Sequence, residues 1–289
     1  MEFYLTALMI GLCLSMMSLG IFITMKIFKI PDITTDGSYT LGAVVTALLL
    51  PLQLNPFLVI PVTFIAGGIA GALTGIIHTK LKIDALLAGI LVMTALYSIN
   101  LSLLGRSNIP LINIKTIFSY FHPFNNETYD GLIMAALIVL IIVSLLAYLL
   151  KTDFGIAMRA TGNSDSMTRA LGINNDKMKI IGLAIANSLT AFSGYLVAQY
   201  QSFTDINMGI GIVITGLGSV LISTAIINWL GVANIWMQLL CVVIGSIIFQ
   251  MVLAVTLSFG IDPNMLKLVT AIFVLLIVSI PKFLGRAAG

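Results

Sequence analysis

Apolar stretches of about twenty residues alternate along this chain with short polar joints, and the joints carry most of the information. A helix needs roughly 20 apolar residues to cross a hydrocarbon core, and stretches of that kind fall at about 3–26, 39–54, 57–79, 85–105, 130–150, 179–201, 206–228, 235–258 and 264–281. The expectation is an all-α polytopic membrane protein of about nine segments in one transmembrane domain, residues 1–289. Its first half covers about 1–150, a polar loop 151–179, and its second half 180–289. The run at 3–26 follows Glu2, with no basic region before it and no small-residue cleavage site, so it reads as a retained span and not a signal peptide.

Two of the stretches are interrupted. Residues 30–40, IPDITTDGSYT, hold Asp32 and Asp36 and no apolar run. Backbone that is not helical at membrane depth is tolerated only where protein buries it or water lines it, so this segment should bend inside the bundle. Residues 202–220, SFTDINMGIGIVITGLGSV, hold Asp205 and the helix-weakening Gly209, Gly211, Gly216 and Gly218. Asp32-Ile33 before a helix with Gly42 mirrors Asp205-Ile206 before a helix with Gly216, each after one clean span. An inverted repeat with broken helices points to a transport site near the midplane. The pathway candidates are therefore Asp32, Asp36, Ser38, Asp205, Gly209 and Gly211, together with Thr94 and Ser98, which share one helical face of the fourth span. The carboxylates could instead be helix caps only, and the polar stripe of the fourth span, Thr94, Tyr97, Ser98 and Asn100, could serve interhelical hydrogen bonding or line a pathway. Gly67, Gly71 and Gly75 form a row of small residues on one face of the third span, a pattern for close helix packing.

The polar loop, residues 151–179, KTDFGIAMRATGNSDSMTRALGINNDKMK, carries five of the fourteen Lys and Arg residues. Asn163 or Ser164 can cap a short helix within it, Asp165 suits the positive end, Arg169 the negative end, and Gly172 the left-handed position beyond. So short a helix is marginal by itself. Something must hold it, from the membrane side and from a docked partner.

Composition sharpens the picture. The 289 residues are 59% hydrophobic and 9% charged, with a mean hydropathy of +1.11, outside the range of a soluble domain. Eleven basic residues, from Lys26 to Arg286, fall on one side of a nine-span layout, and Arg106, Lys115 and Lys267 fall on the other. The positive-inside rule then puts the N-terminus outside and the C-terminus in the cytoplasm. This placement accounts for the net charge of +3 without a nucleic-acid partner. Cys13 and Cys241 lie in apolar runs, and His78 and His122 fall at opposite membrane faces, so no disulfide or metal site is expected. The runs 85–105, 131–150, 180–201 and 236–260 contain no ionisable Asp, Glu, Lys, Arg or His, which disfavours a proton-driven carrier. A membrane enzyme is disfavoured by the absence of HExxH or a clustered nucleophile and base. There is no GxxxxGK[ST] phosphate loop, so an ATPase would be another polypeptide and no cofactor is expected here. Asn126-Glu127-Thr128 matches a glycosylation sequon. The apolar outer loop 106–129 suggests a short helix lying on the mouth.

Residues Thr152, Gly155, Arg159-Ala160, Gly162, Asn163, Ala170-Leu171-Gly172-Ile173 and Lys177 resemble the cytoplasmic coupling loop of ABC importer permeases of the branched-chain amino acid and ribose group. The segment from Ile30 to Ala43 resembles the PDLTVDGSFTLGA stretch of permeases in that group, and Ala85–Asn100 resembles a second block. The resemblance implies a permease subunit in a bacterial cytoplasmic membrane, paired with a second copy or a paralogue. It also implies cytoplasmic ATPase subunits and an extracytoplasmic binding protein that delivers a small solute. The ATPase-coupling residues would be Arg159, Gly162, Asn163, Asp165, Arg169 and Gly172. An ATP-independent channel or facilitator for a small solute is the alternative.

Overall fold

In the computed structural model, which describes residues 2–120, 127–260, 262 and 265–287, the chain is a bundle of helices with one small hairpin. Eleven α-helices are described. They are α1 (Glu2–Ile21), α2 (Thr34–Leu49), α3 (Pro56–Lys80), α4 (Ala85–Leu104), α5 (Glu127–Lys151), α6 (Asp153–Asn163), α7 (Asp165–Ala170), α8 (Asn175–Gln201), α9 (Ile212–Leu230), α10 (Ile235–Ser258) and α11 (Leu266–Ala287). Strand β1 (Asn108–Pro110) pairs antiparallel with β2 (Phe203–Asp205), Ile109 opposite Thr204.

Among the described residues, seven helical segments are long and apolar enough to cross a membrane: α1 with its continuation to Ile27, α3, α4, α5, α8, α9 and α10. The expected count of nine is not reached on that criterion. Helix α2 has only 16 residues, and α11 is described as an apolar helix over Leu266–Ile277. A 16-residue helix rises about 24 Å, short of a hydrocarbon core of about 30 Å.

Helix α8 is the axis of the bundle, and small residues set its distance from its neighbours. A Cβ on Gly67 of α3 would lie 2.5 Å from Asn187 O, and one on Gly75 would lie 2.7 Å from Ile180 Cα. One on Gly71 would run into Leu183 O, and one on Gly42 of α2 into Ala191 O. Backbones this close cannot admit even a methyl group, which is how a small-residue row packs helices without a hydrophobic driving force. Side-chain hydroxyls then bond across helices: Ser193 Oγ donates to Cys13 O at 2.8 Å, Ser188 Oγ to Phe64 O at 2.7 Å, and Tyr195 OH to Pro56 O at 2.8 Å.

Helix α1 ends in a π-helical turn, Phe22–Ile27, and the break that follows is confined to residues 28–33. The expected bend over 30–40 is therefore shorter than the sequence suggested, because Thr34–Thr40 is already helical. The second break, 202–211, is longer, and α9 starts at Ile212, not near 206. At the hairpin end of the bundle Leu111 N donates to Ser202 O, and Ile117 N to Gln199 Oε1 at 2.7 Å. The stretch 106–120 thus forms a strand and a short 3₁₀ helix (Ile117–Tyr120), and the rest of the loop for which a short helix is expected, 121–126, lies outside the described residues. His122 and the Asn126 of the sequon lie outside the described residues.

Candidate functional site

The two breaks meet. Asp36 stands in the first turn of α2 and is buried. Its Oδ2 accepts from Gly211 N at 2.8 Å and its Oδ1 from Val213 N at 2.9 Å. Gly211, at the N-cap of α9, has no side chain to accept these amides, and its φ of +79° is a conformation that favours glycine. One carboxylate therefore occupies the positive ends of two broken helices from opposite halves of the chain. Gly209 closes the junction, because a Cβ there would run into Asp36 O and Thr40 Oγ1.

Below it lies a second polar cluster with no basic residue in its hydrogen bonds. Asp32, 5% exposed, accepts from Thr34 N through Oδ1 at 2.9 Å and from Asn187 Nδ2 through Oδ2 at 2.7 Å. Asn187 Oδ1 in turn accepts from Ser38 Oγ at 2.7 Å, and Thr34 Oγ1 lies 2.8 Å from Thr74 Oγ1. The cluster ties the start of α2 to α8 and α3. Each buried polar group is worth more satisfied than its net contribution suggests, because an orphaned one costs about 1–3 kcal/mol.

The predicted pathway residues thus separate. Asp32, Asp36, Ser38, Gly209 and Gly211 come together around the start of α2. Asp205 does not join them: it sits in β2, seven residues before α9, accepting from Asn207 N at 2.7 Å and from Asn108 Nδ2 at 3.4 Å. Asp32 precedes α2 by two residues, so the Asp32–Asp205 correspondence read from the sequence does not survive as a geometric one. Thr94 and Ser98 are exposed on α4, and Thr94 Oγ1 donates back to Ile90 O. The buried polar residue of α4 is Asn100, whose Nδ2 donates to Gly37 O at 3.3 Å while Oδ1 has no protein partner among the described residues. Asn100, Asp36, Tyr97 and Gly209 line one narrow cleft between α2, α4 and the second break. Asn100 belongs to the polar stripe that the sequence shows on the fourth span, whereas Asn187 has no local signal, since its helix holds several other amides, Asn175, Gln199 and Gln201 among them.

At the opposite end, the polar loop folds as two helices, not one. Thr152 caps α6, its Oγ1 accepting from Gly155 N at 3.3 Å. Ser164, not Asn163, caps α7, its Oγ accepting from Met167 N at 3.4 Å. Gly172 takes φ +79°, Gly172 N donates to Arg169 O and Ile173 N to Thr168 O, closing the helix with a left-handed residue as its sequence implies. What holds this six-residue helix is the first turn of α8. Asn175 Nδ2 donates to Asp165 O at 2.7 Å, and Lys179 pairs with Asp165. Arg169 Nη2 lies 4.0 Å from Asp176, which also takes Lys80 at 3.4 Å. Gly162 belongs to packing, since a Cβ there would run into Ile27 O. Arg159 and Asn163 are exposed on α6. The outward face of α7 carries Met167 and Leu171, four residues apart and 64% and 68% exposed. Together they form an exposed apolar pair on a helix capped at both ends.

Comparison with known proteins joins these features. Residues 3–279 match the family model described as branched-chain amino acid transport system / permease component. A tyrosine transport system permease protein of Clostridioides difficile is 40% identical over 265 residues, 92% of this chain and 86% of that protein. An uncharacterised protein of Rickettsia prowazekii is 34% identical over 283 residues, 98% of this chain and 99% of its own. A ribose import permease protein of Haemophilus influenzae is 27% identical over 197 residues, 66% of this chain and 59% of that protein. No solved structure matches the chain.

Proposed function

The chain belongs to the family of branched-chain amino acid transport system permease components, and on that premise we propose that it is the membrane-spanning subunit of an ATP-driven importer. Two cytoplasmic ATPase subunits dock at the α6–α7 end, and a solute-binding protein delivers cargo at the hairpin end. The N-terminus then lies outside the cytoplasmic membrane and the C-terminus inside. The chain binds no nucleotide itself.

One observation carries this reading: α7 is capped at both ends, anchored to α8 through Asp165, and turns Met167 and Leu171 outward. Through Asn175 and Lys179, a push on α7 reaches α8, the helix on which α2 and α3 close-pack. The pathway runs by the junction of the two breaks, where Asp32, Asp36 and Ser38 surround helix ends. Thr94 and Ser98, facing outward on α4, contribute once a second permease copy packs against that face. The relative named for tyrosine transport makes an amino acid the first solute class to test, with tyrosine first.

The test is uptake by proteoliposomes containing the permease, its ATPase and its binding protein. Met167→Asp with Leu171→Asp should abolish ATP-driven tyrosine uptake while the permease still assembles in the membrane. Undiminished uptake by that variant would remove the coupling role, and uptake independent of ATP would replace the importer by a facilitator.

A further inference from the structure

The geometry points to a binding site for the phosphate headgroup of an anionic membrane phospholipid in the cleft between the π-helical end of α1, helix α6 and the start of α10. The inference requires only the membrane-embedded fold and not the importer reading. The cleft encloses about 530 Å³ and is lined by three cations, Lys26, Lys29 and Arg159, with no carboxylate among its lining residues. None of the three makes an ion pair within 4.0 Å among the described residues, whereas Lys80, Arg169 and Lys179 at the same end are all paired. Three unpaired cations around one concavity repel each other, and an anion seated between them removes that cost.

The other walls are apolar, Phe22, Ile156 and Ile235 among them, so the site matches a molecule that is anionic at one end and oily at the other. Its depth matches too. Ile27 ends one membrane-crossing segment and Ile235 begins another. The chain's two tryptophans, Trp229 and Trp236, flank the turn between α9 and α10, and Trp229 is 86% exposed. Tryptophans on both sides of a turn mark the headgroup level of a bilayer. Basic pockets between helices at that level hold lipid phosphates, each cation there contributing roughly a five-fold gain in affinity. The site is also built: α6 rests so closely on the π turn at Gly162 that a Cβ would run into Ile27 O, which fixes Arg159 relative to Lys26.

The experiment uses the full chain in nanodiscs, in a Trp229→Phe background that leaves Trp236 as the single reporter beside the cleft. Brominated phosphatidylglycerol should quench Trp236 well beyond brominated phosphatidylcholine at equal mole fraction. Lys26→Gln, Lys29→Gln and Arg159→Gln should each weaken that preference roughly five-fold, and the triple variant should lose it. Lys80→Gln with Lys82→Gln, removing charge at the same end outside the cleft, should leave it intact. Equal quenching by both lipids, or a preference that survives the triple variant, overturns the proposal. So does loss of the preference in excess inorganic phosphate, which would make the cleft a site for soluble anions. Loss on adding the ATPase subunit would make it a protein-docking surface, and overturns the proposal as well.

Discussion

Asp36 offers the sharpest test of how the two halves are joined. Its two carboxylate oxygens each accept one backbone amide of α9, from Gly211 and Val213. Asp36→Ala would orphan both donors at a site that excludes most water. At about 1–3 kcal/mol per unsatisfied group, the loss is roughly 2–6 kcal/mol. Partial exposure of Gly211 and Val213 favours the lower half of that range. Against a total stability of about 5–15 kcal/mol, this is enough to lower yield and melting temperature in detergent. Asp36→Asn is not a neutral probe of charge, because only one of its two terminal atoms can accept. It should lose about half as much, roughly 1–3 kcal/mol. The assay pairs thermal unfolding of the detergent-solubilised permease with hydrogen exchange of the peptide spanning residues 207–215. Faster exchange there, with α3 and α8 unchanged, is the expected signature of a frayed α9. If Asp36→Ala kept wild-type exchange and melting temperature, the shared-cap account of this carboxylate would be refuted.

Replacing Asn187 by Leu should orphan Asp32 Oδ2 and Ser38 Oγ together, costing roughly 2–6 kcal/mol, measured as loss of monodisperse protein on size exclusion. Gly71→Val should prevent assembly because its side chain meets the backbone of α8 at Leu183. Gly105→Ala, at the φ +67° end of α4 with open space around it, should cost only about 1 kcal/mol; equal expression of the two variants would contradict the packing argument. Sidedness is testable with cysteines at Ile112 and Lys177 in a background lacking Cys13 and Cys241, since both positions are exposed. An impermeant thiol reagent should label the first from outside and the second from inside, and labelling of both from one side would invert or break the proposed topology.

The membrane class, seven of the apolar spans and the left-handed Gly172 that closes α7, with the N-cap of that helix narrowed to Asn163 or Ser164, were legible in the sequence, because each depends on local chemistry. A run of twenty apolar residues has few other uses, and a Ser at one end with a Gly at the other suits only a helix between them. The small-residue row of α3 was legible for the same reason, since periodicity alone puts Gly67, Gly71 and Gly75 on one face. What they pack against was not legible, because the partner, α8, lies more than a hundred residues away. The start of α2 is not legible locally because Thr34–Thr40 has poor helical composition; its first turn is held through Asp32 by Asn187 and beside Thr34 by Thr74, both remote in sequence. Similarity of residues pairs Asp32 with Asp205 across the two halves. Folding assigned the cap of α9 instead to Asp36, some 175 residues away. Long-range satisfaction of backbone amides follows where helix ends meet in space, and that meeting is a property of the packed bundle.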